Sequence, residues 1–193
     1  MKTGFCSGWV SCLTSAAVVG GTVFVPLASA AAAMGSPNPF QNAQVGLTYP
    51  VYQPTTTLGL PRSSFKLFSC GVGKEESLFA TYGTAYTPST NFGKTKGFSV
   101  SEGYPMFCAN PGISKSVATR TVGGAIIHVS VYCDPSQFKN CTLASGVKNG
   151  YLLQWSQPYK PTQTLKKRTQ IYLDTSLLTL AQALSIAGGL TPA

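Results

Sequence analysis

The chain has 193 residues, 44% of them hydrophobic and 11% aromatic, which suits one globular domain with a short N-terminal extension. Charged residues make up only 10%, and five acids against fourteen Lys and Arg give a net charge of +9. So few carboxylates identify no paired-acid site, one histidine and no CxxC spacing exclude a zinc site, and the basic balance favours anionic partners through long-range attraction.

The first 33 residues read as an export signal. Lys2 is the charge of the n-region, Leu13 to Pro26 is apolar and small, and Ala28–Ala30 or Ala31–Ala33 offers small residues for cleavage. The uncharged run from Leu13 to Ala33 is also long enough for an anchor, but Pro26, Gly20-Gly21 and the alanines favour cleavage and hence no span in the mature form. Cys12 precedes the apolar segment rather than ending it, which argues against a lipoprotein.

Residues 34–46 read as a flexible leader, and residues 47–193 as a single domain. Leu47–Gln53 can add an edge strand, since its prolines forbid a central one. Phe65–Cys70 and Leu78–Tyr86 alternate as strands around a polar turn at Gly73–Glu76. Thr87 to Gly97 is a loop, and Phe98–Glu102 a short strand. Ser116–Val122 and Ala125–Cys133 flank Gly123-Gly124, a two-residue hairpin turn. That turn sets Val122 opposite Ala125, Arg120 opposite Ile127 and Ala118 opposite Val129. Ile127, Val129 and Val131 then share an inner face on which Arg120 is the misfit, while His128, Ser130 and Tyr132 point the other way.

Tyr151–Trp155 is a further strand, followed by a basic loop and the alternating strand Gln170–Leu173. Asp174, Thr175 or Ser176 can cap a helix over Leu177–Ala187, in which Thr179, Gln182 and Ser185 leave a broad apolar surface. Gly188-Gly189 can supply a left-handed residue to close it. The fold class is therefore α+β: a mostly antiparallel sheet of about five to seven strands covered by one C-terminal helix. In an oxidising compartment, the four cysteines left after export read as two disulfides. Of three possible pairings, the turn-bearing loop at Asp134-Pro135 favours Cys133–Cys141, which leaves Cys70–Cys108.

The ending of the chain, a strand closing on Trp155, a basic turn, the strand TQIYL and then LLTLAQALSIAGGLTP, resembles that of many small exported α+β domains of Gram-positive and actinobacterial envelopes. The resemblance implies an exported envelope protein and carries over no functional residue.

Candidate chemistry is sparse. His128 has Ser130 on its strand face and Thr119 opposite, so a Ser–His pair is conceivable, but no GxSxG elbow exists and only Asp134 and Asp174 are aspartates. Gly71–Ser77 lacks the spacing of a phosphate loop. Lys166, Lys167 and Arg168 form the one basic cluster, suited to an anionic surface, and no stacking motif for nucleic acid is present. Tyr82, Tyr86, Phe92, Phe98, Tyr104 and Phe107 read as core rather than cleft. The expected protein is an exported, non-catalytic binding or structural component of the cell envelope. It needs no cofactor or metal, and its expected partner is an anionic envelope polymer or lipid surface rather than nucleic acid. The alternative is a small secreted hydrolase using His128.

Overall fold

The first element forms inside the expected leader. Pro39–Gln44 is a short helix, α1, with proline at its start and the Asn38 side chain accepting a hydrogen bond from Phe40 N at 3.0 Å. Phe40 and Ala43, one turn apart, are buried, and the Phe40 ring meets Phe65 edge-on at 5.0 Å. Two apolar residues at helical spacing are enough to tie this segment to the core, so the packed domain begins before residue 47. The structure, a computed structural model, describes residues 37–69, 76–86, 93–104, 112–158 and 162–193, all in a unit spanning Gly35–Ala193. The export signal, the turn at residues 73–75 and the Cys70–Cys108 pairing lie outside the described residues.

The strands in chain order are β1 Tyr52–Pro54, β2 Arg62–Phe68, β3 Ser77–Tyr82, β4 Gly97–Gly103, β5 Ser114–Val122, β6 Ala125–Tyr132, β7 Tyr151–Ser156, β8 Gln170–Ser176 and β9 Leu190–Pro192. A short helix α2, Gly146–Asn149, precedes β7, and α3, Leu180–Gly188, lies between β8 and β9. Seven strands form one antiparallel sheet in the order β2-β3-β4-β8-β7-β6-β5. Two meanders, β2 to β4 and β5 to β8, are thus joined where β8 slots between β4 and β7. The expected edge strand at 47–53 does not join this sheet. Leu47, Tyr49 and Val51 are buried instead, and β1 pairs only with β9.

The hairpin has the register that its Gly-Gly turn predicts: Val122 faces Ala125, Arg120 faces Ile127 and Ala118 faces Val129. Gly123 and Gly124 both hold positive φ, 56° and 82°, as the twist of a tight hairpin requires. Strand order explains the Arg120 misfit. β5 is an edge strand, and both a charged residue on its inward side and its bulge between Ser116 and Ala118 oppose edge-to-edge pairing. Arg120 stays exposed and donates to Thr119 O at 2.8 Å.

The C-terminal helix is shorter than its apolar run. β8 keeps pairing with β4 as far as Ser176, so residues 174–176 give their backbone groups to the sheet and cannot cap a helix. Leu177 then turns left-handed, at φ 55°, and Thr179 is the N-cap, in a reciprocal box with Gln182. Gly189 ends the helix at φ −90° rather than in the left-handed region, and Leu190 continues directly into β9. Nine residues make a helix of about 13 Å. Seven strands span about 29 Å from edge to edge, so α3 cannot cover them alone. The cover is shared: α3 lies over β5, β7 and β8, while α1, the 47–51 segment and the β1–β9 pair complete it. Ile186, Ala183 and Leu178 are buried above Phe98, Val100, Leu153, Ile171 and Leu173 of the sheet.

Cys133 and Cys141 are bonded to each other, as their loop predicts. Asp134 caps the 3-10 turn Pro135–Gln137 between them, and Lys115 Nζ donates to Phe138 O at 2.6 Å and Cys141 O at 3.2 Å. Such a short cross-linked loop contributes about 2–3 kcal/mol.

Candidate binding cleft on the polar face of the sheet

Strand alternation gives the sheet one apolar face, under the cover, and one polar face. Register aligns rows of residues on the polar face. One row is Ser130, Leu152, Asp174 and Ser99, from β6, β7, β8 and β4; the next is His128, Gln154, Tyr172 and Ser101. These two rows have different fates.

The row that holds Asp174 is enclosed. The Asp174 carboxylate accepts from Tyr132 Oη, and Ser99 Oγ lies 3.5 Å from its other oxygen. Tyr86 comes down over this end, its ring against Gly97, where a side chain of any size would collide with it. Its buried hydroxyl makes no hydrogen bond of normal geometry, and Gly93 N donates to Ser176 Oγ at 2.9 Å alongside. Burial pushes the Asp174 carboxyl up to about 6, against the opposing pull of the bonds from Tyr132 and Ser99. Burial first, and the nearby Asp174 charge second, raise the Tyr86 and Tyr132 phenols far above their usual range. The cluster is a polar seal in which Ser99 and Tyr86 are buried and Asp174 and Tyr132 half-buried.

The other row opens into a cleft of about 620 Å³ over His128, Gln154 and Tyr172, while Ser101 at its β4 end is buried. His128, Gln154, Gln170, Tyr172, Ser156 and Arg168 supply its polar lining, with Ile126 at the hairpin end. Arg168 is set there by its neighbours. Gln157 N donates to Thr169 O at 3.0 Å, carrying the β7–β8 pairing one step past the strands. Thr169 turns inward and its hydroxyl bonds Pro50 O, so alternation sends Arg168 to the polar side. The basic cluster is therefore divided. Arg168 lines the cleft, whereas Lys166 and Lys167 both donate their backbone N–H to Thr48 O, at 2.9 and 3.3 Å. No carboxylate stands among the described residues that line the cleft. A second hollow of about 520 Å³, beside Tyr132 and Cys133, is flatter, and sets Lys148 near Asp134, whose carboxylate Ser136 already engages.

A hydrolytic arrangement needs a carboxylate within hydrogen-bond reach of His128. Across its strands His128 faces Thr119 and Gln154. Asp174 sits on β8, two strand intervals away, which is roughly 10 Å even before its enclosure is counted. Asp134 is exposed, held low by its bonds from Ser136. Glu102 is on the opposite face, fully buried, with Oε2 accepting from Tyr52 N at 2.9 Å and Oε1 without a hydrogen bond. Desolvation drives the Glu102 carboxyl well above the usual carboxylate range. The described residues thus bring no Ser–His–carboxylate set together. Nor do they gather three metal-ligating side chains, or form a helix long and apolar enough to cross a membrane.

Of the expected core aromatics, Tyr82 and Phe98 stack in the core at 4.5 Å, Tyr86 is buried, Tyr104 is exposed, and Phe92 and Phe107 lie outside the described residues. Tyr172, Gln154 and Gln170 carry the cleft, yet no local motif marks them; their only signal is alternation with Ile171, Leu173 and Leu153. No protein-family model matches this chain, and no curated protein or solved structure is significantly similar to it.

Proposed function

We propose that this chain is an exported, non-catalytic binding protein of the cell envelope, and that its ligand lies in the cleft formed by His128, Gln154, Gln170, Tyr172 and Arg168. The supporting observation is the contrast on one sheet face. Polar groups at one end satisfy one another under Tyr86, whereas at the other end amides, a phenol, an imidazole and a guanidinium border open space without an acid among them. A site rich in hydrogen-bonding groups and lacking both a nucleophile–base pair and an opposed pair of acids suits holding a ligand, not cleaving it. The disulfide and the basic surface suit an extracytoplasmic setting.

The purified chain should be retained by isolated envelope material, and the double variant Gln154→Ala/Tyr172→Ala should lose that retention while melting at an unchanged temperature. Equal retention of the variant would remove the cleft from the function. Turnover of any envelope polymer that disappears in His128→Ala would replace the binding reading by the hydrolytic one.

A further inference from the structure

We infer that the cleft takes a segment of acidic glycan, with an anionic group of the sugar chain on Arg168 and a sugar ring against Tyr172; this rests on the binding reading above. Charge comes first. Arg168 is the one fully cationic side chain among the described residues lining the cleft, and no acid lines it to neutralise the guanidinium. A guanidinium presents a planar fork that matches a carboxylate or a phosphate with two parallel bonds. The net charge of +9 draws polyanions toward such a site from a distance.

The remaining lining is chosen for hydroxyls. Gln154 and Gln157 each offer a carbonyl and an amide, so each can accept from one hydroxyl and donate to another. Ser156 adds another group of that kind. Tyr172 is half-buried, which leaves part of a rigid ring available at low entropic cost. The cleft crosses β6, β7 and β8, two strand intervals or about 10 Å, so it suits a short stretch of an extended chain. A lipid surface fits less well. Insertion needs a patch of exposed apolar side chains, and among the described residues lining this cleft only Ile126, 60% exposed, and Pro158 are exposed and apolar. A nucleic acid would bring a phosphate at every step to a cleft with one cation.

The test titrates the full chain, by calorimetry at low and moderate salt, with four glycan probes and one lipid probe. The glycans are oligogalacturonate, its neutral methyl ester, phosphomannan and dephosphorylated mannan; the lipid is a vesicle of phosphatidylglycerol and phosphatidylcholine. The expected result is binding of at least one acidic glycan, weakened about tenfold or more in its neutral counterpart and at the higher salt. Arg168→Gln should reduce acidic-glycan affinity to the level of the neutral form, Arg168→Lys should recover part of it, and Tyr172→Ala should weaken both forms. Equal affinity of acidic and neutral glycans, or an Arg168→Gln variant that binds as the parent does, overturns the inference. So does binding of vesicles without binding of any glycan. If every glycan fails while envelope material still retains the parent chain and not the Gln154→Ala/Tyr172→Ala variant, the ligand class is wrong and the binding reading stands. If that retention is absent too, both fall.

Discussion

Each face of the sheet holds one carboxyl group, Glu102 fully buried and Asp174 half-buried, and the two are enclosed by different means. Glu102 lies on the apolar face among aliphatic and aromatic side chains, and its one hydrogen bond comes from Tyr52 N in β1. Asp174 lies on the polar face, enclosed by Tyr132, Ser99 and Tyr86. The apolar face closes because helix, strand pair and N-terminal segment press hydrophobic area onto it; a lone acid there serves as a strut for β1. The polar face closes only where hydroxyls satisfy a carboxylate, and where they stop, the cleft begins. One side of the sheet is thus held by burial, the other by hydrogen bonds that end partway across.

Burial predicts the largest effect. Ile186 is fully buried on α3, so Ile186→Ala removes methyl groups from a packed layer and leaves a cavity. It should cost about 2–5 kcal/mol, read as a lower urea midpoint with the disulfide intact. A cost under about 1 kcal/mol would mean that α3 does not press on the sheet. Leu184, mid-stripe by its spacing, is only partly buried and should cost less.

The two acids separate by pH. A carboxyl whose folded value is raised stabilises the native state fully below its unfolded value, and that contribution is lost as pH rises through the folded value. For Asp174 the window runs from the ordinary 3.8 to about 6, a loss of at most about 3 kcal/mol. Glu102 loses its contribution from 4.5 upward, because desolvation holds its folded value well above that. Asp174→Asn, which keeps an acceptor for Tyr132, should therefore flatten part of the stability loss between about pH 4 and 6. Glu102→Gln should flatten the loss that begins above 4.5. Urea titrations at several pH values decide this; an Asp174→Asn curve parallel to the parent's throughout would mean that the polar seal is open to water.

The next effect concerns a residue whose role changed between sequence and structure. Gln182 lies on the thin polar stripe of α3 and reads as a bystander, yet its side chain accepts from Thr179 N at 2.9 Å and Thr179 Oγ1 accepts from Gln182 N at 3.2 Å. Gln182→Ala should cost about 1 kcal/mol, and Gln182→Glu should retain most of the cap. No loss in either would show that β8 and the Leu177 turn set the start of the helix without it.

Local chemistry explains what the chain discloses and what it withholds. The hairpin is legible because Gly-Gly fixes both turn and register, and β-branched alternation fixes the faces. Glu102 was not legible as a buried acid, because a carboxylate ending a short strand reads as solvated until β1 supplies the Tyr52 N–H that it accepts. The helix start was misread because Asp174, Thr175 and Ser176 are good caps in isolation, and nothing local reveals that the sheet claims their backbone first. The cleft was illegible for a related reason. His128, Gln154 and Tyr172 stand on three consecutive strands, and the registers of β6 with β7 and of β7 with β8 set them in one row. Those registers are fixed across long connections, with no two-residue turn to reveal them.

The smallest expected effect belongs to the open end of the polar face. His128 is exposed on β6, paired across to Thr119 and Gln154, neither of which needs the imidazole to satisfy a buried group. Removing it leaves no cavity and strands no donor, so His128→Ala should change stability by less than about 0.5 kcal/mol. Ser130, one row along and buried, is the contrast on the same strand face: Ser130→Val places a branched apolar group beside the Asp174 cluster and should cost more. Matched denaturation curves of the two variants therefore locate the boundary between closed and open halves. A loss of 2 kcal/mol or more in His128→Ala would place that boundary beyond His128, and the cleft would then be part of the packed interior rather than a place for a ligand.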